Sequence, residues 1–343
     1  MASILKKLCK WVAIGLAVLL VCGAVAEQVC RARFEARRPA LDGFREIDGR
    51  QIHFVRRGTG SPCVVFQSGL GSDYRIWEAV QERLAQRTTT VSYDRAGLLW
   101  SDPGPRPPTL QSINRELKGL LERIDCPKPY ILVGHSLAGI TLRPFINDHS
   151  RDIAGVVFVD VAHPRQIQES SAQLREAIVP PPEWLVTALM DTGLFRALYS
   201  IEPLVPDFPV DHWYNRHARD SFFKSYRATL ELARHDEPMF AESAAISTFG
   251  NIPLAVITAA YPHGTGFGFG DGPLAQEYLS IHRRLQRDLL NLSSDSRQIV
   301  ATRSGHYVPL QEPELIVGAV ERYLTPSAQG SASTPPPDSA SFR

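Results

Sequence analysis

Three kinds of side chain in this sequence could assemble a nucleophilic catalyst. Ser136 is the centre of Gly134-His135-Ser136-Leu137-Ala138, behind the apolar run Tyr130-Ile131-Leu132-Val133 and ahead of Leu142, Phe145 and Ile146 at helical spacing. That order reads as strand, sharp turn and helix. Such a turn strains its central residue and exposes the side chain at the sheet edge, so Ser136 reads as a nucleophile as well as a residue able to cap a helix. His306, in Ser304-Gly305-His306-Tyr307, is the last of ten histidines and follows the last predicted strand. A Ser, acid, His chain order puts the general base there. Two carboxylates compete as the acid: Asp160, directly after the strand Ile153–Val159, and Asp271, in Gly270-Asp271-Gly272 beyond the next strand. Distance from a strand end favours Asp160 for orienting a histidine. The loop Gln67-Ser68-Gly69-Leu70-Gly71-Ser72 follows another strand. Its flanking glycines let backbone N–H groups face a developing oxyanion, with the amides of Leu70 and Leu137 as the donors.

Positioning these groups on one edge requires parallel strands. The apolar patterns predict a hairpin of Phe44–Ile47 and Gln51–Arg56 joined by Asp48-Gly49, then strands at 63–66, 88–93, 130–133 and 153–159. Helices are predicted at 76–84 and 110–124, the latter with Ile113, Leu117, Leu120 and Leu121 on one face. After an interruption the alternation resumes with a strand at 252–258, a helix at 274–290, a strand at 297–301 and a helix at 313–323. Strands alternating with helices imply an α/β fold, a mostly parallel sheet covered on both faces with ligands at the carboxyl ends of the strands. The interruption, about 163–250, carries helical patterns at 166–177, 182–199 and 221–233, and aromatics that include Trp184, Phe208, Tyr214 and Phe240. It reads as a cap over the nucleophile.

Composition narrows the partners. A formal net charge of +1 gives no basic field for nucleic acid, so the expected partner is a small molecule. No H-E-x-x-H or comparable cluster indicates a metal, and Gly264 to Gly270 fits neither a dinucleotide nor a P-loop pattern, so no cofactor is expected. Lys6, Lys7 and Lys10 precede an uncharged run from Trp11 to Ala26, and Arg31, Arg33, Arg37 and Arg38 follow it. The segment reads as a membrane anchor, with export and cleavage near Ala26 as the alternative. Residues 1–41 are thus an anchor or signal segment with a charged connector, 42–325 the folded domain, and 326–343 a Ser- and Pro-rich tail expected to be disordered. The five cysteines show no zinc spacing and define no disulfide framework.

Taken together, Gly69-Leu70-Gly71, Asp94-Arg95-Ala96-Gly97, Trp100-Ser101-Asp102, Gly134-His135-Ser136-Leu137-Ala138-Gly139 and Gly305-His306 resemble the α/β-hydrolase family, in its capped esterase and C–C hydrolase branch. The resemblance spans about 65–310 and implies an eight-stranded sheet, a Ser-His-acid triad and an oxyanion hole of two amides. It supports Asp160, because some members, certain haloalkane dehalogenases among them, carry the acid after this strand. Those dehalogenases and the related epoxide hydrolases use Asp as nucleophile, so Ser136 argues against both activities. Asp94 and Arg95 recur in the family as a supporting network. Two departures stand out: Ala138 replaces the usual second glycine of the turn, and Ser68 takes the place of the usual His in the oxyanion loop. The expectation is a serine hydrolase, a carboxylesterase on a small or medium apolar ester. Lipase, peptidase or C–C bond chemistry, or a ligand receptor on the same fold, are the alternatives.

Overall fold

The alternation of apolar runs and amphipathic stretches resolves into one sheet with helices on both faces. The computed structural model describes residues 2–260 and 272–324, so Asp271, the 264–270 stretch and the 326–343 tail lie outside the described residues. The strands are β1 (Phe44–Ile47), β2 (Arg50–Arg57), β3 (Cys63–Gln67), β4 (Thr90–Tyr93), β5 (Tyr130–His135), β6 (Ile153–Val159), β7 (Leu254–Ala259) and β8 (Ser296–Ala301). Among the described residues they form an eight-stranded sheet in the order β1-β2-β4-β3-β5-β6-β7-β8. The hairpin β1–β2 is antiparallel, and β2 pairs antiparallel with β4; the remaining pairs are parallel. Asp48 and Gly49, at φ 50° and 75°, close the hairpin in the left-handed conformation that a two-residue turn between twisted strands requires. β3, β5 and β7 are buried along their whole length, which is why they read as continuous rather than alternating apolar runs.

The helices are α1 (Ala2–Glu35), α2 (Glu78–Leu84), α3 (Leu110–Arg123), α4 (Ala138–Thr141), α5 (Arg143–Asp148), α6 (Gln166–Glu169), α7 (Ala172–Ala177), α8 (Glu183–Asp191), α9 (Leu194–Leu198), α10 (Trp213–Arg234), α11 (Asp236–Ala244), α12 (Pro273–Asp288), α13 (Val308–Gln311) and α14 (Pro313–Leu324). α3 starts at a capping box in which Thr109 and Ser112 satisfy each other's backbone N–H, and it buries Leu117, Leu120 and Leu121 against one sheet face. α2 and α14 cover the other face with Val80, Leu84, Ile316 and Val320. Helices α6 to α11 lie between β6 and β7 and form the cap.

Several boundaries differ from the sequence expectation for local reasons. The stretch 182–199 divides into α8 and α9 because Gly193 takes φ 75°, a left-handed break. α10 begins at Trp213, eight residues before the predicted helix, with His212 accepting from the Tyr214 N–H at its start. α1 runs on to Glu35 through the stretch read as a connector, because its upper turns pack on the cap. Cys63 and Cys126 form a disulfide, leaving Cys9, Cys22 and Cys30 as free thiols. That pairing was not visible in the spacing: it depends on β3 and β5 being neighbours, which sets Cys63 opposite Tyr130, four residues past Cys126.

Candidate active site

Ser136 follows β5 directly and is held at φ 54°. A β-carbon at Gly134 would fall 2.8 Å from the Ala138 β-carbon, and one at Gly139 would fall 2.4 Å from the Ala162 carbonyl oxygen. The turn is therefore closely packed on both sides, by side chains at Gly134 and by the Ala162 backbone at Gly139, and Ala138, fully buried, fits because Gly134 makes room for it. Ser136 itself remains partly exposed.

The structure brings Asp160 and His306 together from strands β6 and β8. His306 Nδ1 donates to Asp160 Oδ2 at 2.7 Å. The other carboxylate oxygen accepts from the Ala259 N–H at 3.0 Å and from His282 Nε2 at 2.8 Å. Burial alone would raise the Asp160 carboxyl, but the charges and hydrogen bonds of His282 and His306 outweigh it and hold the group well below the usual carboxylate range. Burial alone would likewise pull His306 down. The hydrogen bond and charge of Asp160, joined by Asp207 from the cap, outweigh that and leave His306 above an ordinary imidazole. With the proton on Nδ1, the Nε2 lone pair is free to accept another.

His282 was missed at the sequence level. It lies on α12 with Tyr278 stacked against it one turn earlier, ring centroids 5.6 Å apart, and no motif marks it. No motif marks His135 beyond its place beside Ser136. Burial pulls it down to about 3, so it is neutral, and its Nε2–H donates to the His306 carbonyl at 2.8 Å. The residue before Ser136 thus pins the histidine loop. From the cap, Phe208 and Tyr214 pack on Tyr307, with ring centroids 5.7 and 5.3 Å away.

The Gly69 loop passes directly against Ser136: a β-carbon on Gly69 would lie 2.6 Å from the Ser136 β-carbon and 3.1 Å from its Oγ. Among the described residues, neither the Leu70 nor the Leu137 N–H has a hydrogen-bond partner. The loop is held from below. Arg95, buried, donates to the Ser68 carbonyl and to the Gly69 carbonyl at 2.8 Å. Ser68 Oγ donates to the Asp73 carbonyl at 2.8 Å and accepts from Trp77 Nε1 at 3.0 Å, so a serine at this position still fastens the loop. Asp94 accepts from the Tyr74 N–H at 3.0 Å and from His53 at 2.8 Å. The side chains of Leu70 and Leu137 pack with Leu232, Met239 and Phe240 of the cap, an apolar wall beside Ser136.

A cavity of about 480 Å³ opens elsewhere, between α1, the segment 95–108 and α10. It reaches Gly71 and Leu232, but Ser136, Asp160 and His306 do not line it. It backs onto the Gly69–Gly71 loop.

A serine at φ 54° follows the central parallel strand β5, and a hydrogen-bonded carboxylate–histidine pair follows β6 and β8 at the carboxyl ends of the same sheet. The family model described as "Alpha/beta hydrolase family" matches residues 64–319, and the chain belongs to that family. An "AB hydrolase superfamily protein" of Gibberella zeae is 27% identical over 336 residues, covering 83% of this chain and 97% of the relative. Two solved structures share the fold at low identity. The Cif epoxide hydrolase from Acinetobacter nosocomialis is 16% identical with TM-score 0.62, over 88% of this chain and 97% of that one. A thermophilic esterase from Thermogutta terrifontis is 16% identical with TM-score 0.55, over 82% and 96%.

Proposed function

We propose that this hydrolase acts through an acyl-enzyme on Ser136, as a carboxylesterase for small or medium apolar esters, tethered to a membrane by α1. The Asp160–His306 hydrogen bond of 2.7 Å, at the same sheet edge as a serine strained to φ 54°, carries the reading. In it, Ser136 Oγ attacks the ester carbonyl while His306 Nε2 takes the hydroxyl proton and Asp160 steadies the resulting imidazolium. The N–H groups of Leu70 and Leu137 hold the negative oxygen of the tetrahedral intermediate. Collapse expels the alcohol with the proton from His306. Water, deprotonated by the same imidazole, then attacks the acyl-serine and releases the acid, returning Ser136 to its hydroxyl form.

Serine at position 136, where the dehalogenase and epoxide hydrolase branches of the family carry Asp, favours acyl transfer over both of those chemistries. The apolar wall of Leu232, Met239 and Phe240 favours an apolar acyl or alcohol group. α1 is long and apolar enough to cross a membrane, which supports the tether.

The test is intact mass after fluorophosphonate treatment of the full chain in detergent, beside hydrolysis of nitrophenyl esters of graded acyl length. The expected result is one adduct and ester turnover, both lost in Ser136→Ala with the circular dichroism unchanged. Turnover retained in Ser136→Ala would overturn the assignment.

A further inference from the structure

The membrane-suited helix packs directly on the cap. A β-carbon on Gly23 would lie 2.4 Å from the Thr192 carbonyl oxygen, and one on Gly193 would lie 2.7 Å from the Gly23 carbonyl oxygen, so the α8–α9 turn sits backbone to backbone on α1. One turn further along α1, Glu27 is 3% exposed and accepts from Arg196 of α9 at 2.6 Å and from Arg31 at 2.9 Å. Above that, Arg31 reaches Asp191 at 3.0 Å, Phe34 meets Phe223 edge-on at 5.7 Å, and Lys224 pairs with Glu35 at 2.7 Å. Before Gly23 the helix stands free, with Leu16, Leu19 and Val21 more than half exposed. Gly23 therefore marks the level at which the bare apolar helix enters the protein body.

At that level α9 and the turn after it point three large apolar side chains outward. Leu194, adjoining the Gly193 contact, is 47% exposed, and Leu198 and Ile201 are 45% and 73% exposed. They recur at i, i+4 and i+7, and helical turns carry the spacing past the end of α9, with the Ile201 N–H on the Leu198 carbonyl at 3.1 Å. That spacing puts them on one stripe, while Phe195 between them points into the cap. Arg196, the one cation on this helix, is occupied by Glu27 and Asp220. An apolar stripe continuous with a bare, membrane-length helix matches a lipid surface: the same acyl chains that surround the helix would cover the stripe.

We propose that the α9 face of the cap, Leu194, Leu198 and Ile201, rests in the interfacial layer of the membrane beside α1. This rests on the reading of α1 as a membrane helix. The cap is then seated at two points, and its position over Ser136 is set relative to the lipid surface.

The test uses the full chain in phosphatidylcholine vesicles, with and without lipid brominated midway along the acyl chain. Native Trp11 reports on α1, and Leu198→Trp in a Trp11→Phe background reports on the stripe, each read as the difference from its own parent. The Leu198→Trp reporter is expected to lose roughly half of its emission or more in brominated vesicles, as Trp11 does, since interfacial segments sit within reach of the upper acyl chain. Arg83→Trp in the same background, an exposed position on α2 of the sheet domain, should stay unquenched. Quenching of Trp11 without quenching of the Leu198→Trp reporter would leave the anchor standing and overturn the cap contact. Absence of quenching at Trp11 would overturn both. A reporter shielded from brominated lipid and also from aqueous acrylamide would mean that protein, a second copy or another chain, covers the stripe, and would also overturn the proposal.

Discussion

At the residue scale, Asp160 accepts from two histidines through separate oxygens, and in the proposed mechanism only His306 moves a proton. Asp160→Asn removes the charge that steadies the imidazolium and favours the wrong tautomer of His306, so kcat should fall by roughly 10³–10⁴-fold. His282→Gln keeps a donor near Oδ1 and should cost far less, on the order of 10-fold, through looser positioning of the carboxylate. Steady-state kinetics on one ester would rank them; a larger loss for His282→Gln than for Asp160→Asn would reverse their roles. The pH profile follows from the same contacts. His306 must be neutral to act as base, and Asp160 holds it above the ordinary imidazole value despite the burial that pulls it down. Activity should therefore be lost as pH falls through a value above about 6.5, the ordinary imidazole pKa. An acidic limb of kcat/KM well below that would contradict the coupling. His135 responds in the opposite sense: its folded value is depressed, so its contribution to stability is present above the unfolded pKa and lost as pH falls towards about 3.

At the scale of elements, the decisive contact is between two turns. The loop after β3 crosses the turn after β5 so closely that Gly69 has no room for a β-carbon beside Ser136. Gly69→Ala should lower the thermal unfolding midpoint, because the added methyl must displace Ser136 or the buried loop. It should cut kcat by 10²-fold or more, because displacement of the Leu70 N–H removes an oxyanion donor. Melting by circular dichroism beside ester turnover checks both halves; a variant that unfolds early and yet turns over normally per folded molecule would mean the loop is scaffold only. The cap follows the same logic. Leu232, Met239 and Phe240 of the cap meet Leu70 and Leu137, a contact that no sequence pattern marks. Helical spacing says that such residues share a face; it does not say what the face touches.

At the scale of the whole molecule, the Cys63–Cys126 disulfide closes a loop with a sequence separation of 63. Chain-entropy reasoning gives such a crosslink roughly 4 kcal/mol of stabilisation. Cys63→Ser with Cys126→Ser should lower the denaturant midpoint accordingly, and peptide mapping of unreduced protein should find the two half-cystines joined while Cys9, Cys22 and Cys30 take up alkylating reagent. Persistence of that bond in cells would place the hydrolase domain in an oxidising compartment; two free thiols at 63 and 126 in protein isolated with rapid alkylation would argue for a reducing one. The strand–turn–helix around Ser136, the alternation that makes a parallel sheet, the cap interval and the position of His306 after the last strand are all written locally, in periodicity and in residues that a sharp turn requires, and the sequence alone determined them. What needed the tertiary structure has no local signature. Asp160 meets His306 because β6, β7 and β8 lie side by side, His282 reaches the same carboxylate from a helix over a hundred residues away in the chain, Cys63 finds Cys126, and α1 continues past its apolar run because the cap binds its upper turns. Each is a contact between segments distant in sequence, and a pattern of period two or 3.6 carries the direction of a side chain but not the identity of the partner that packing brings to it.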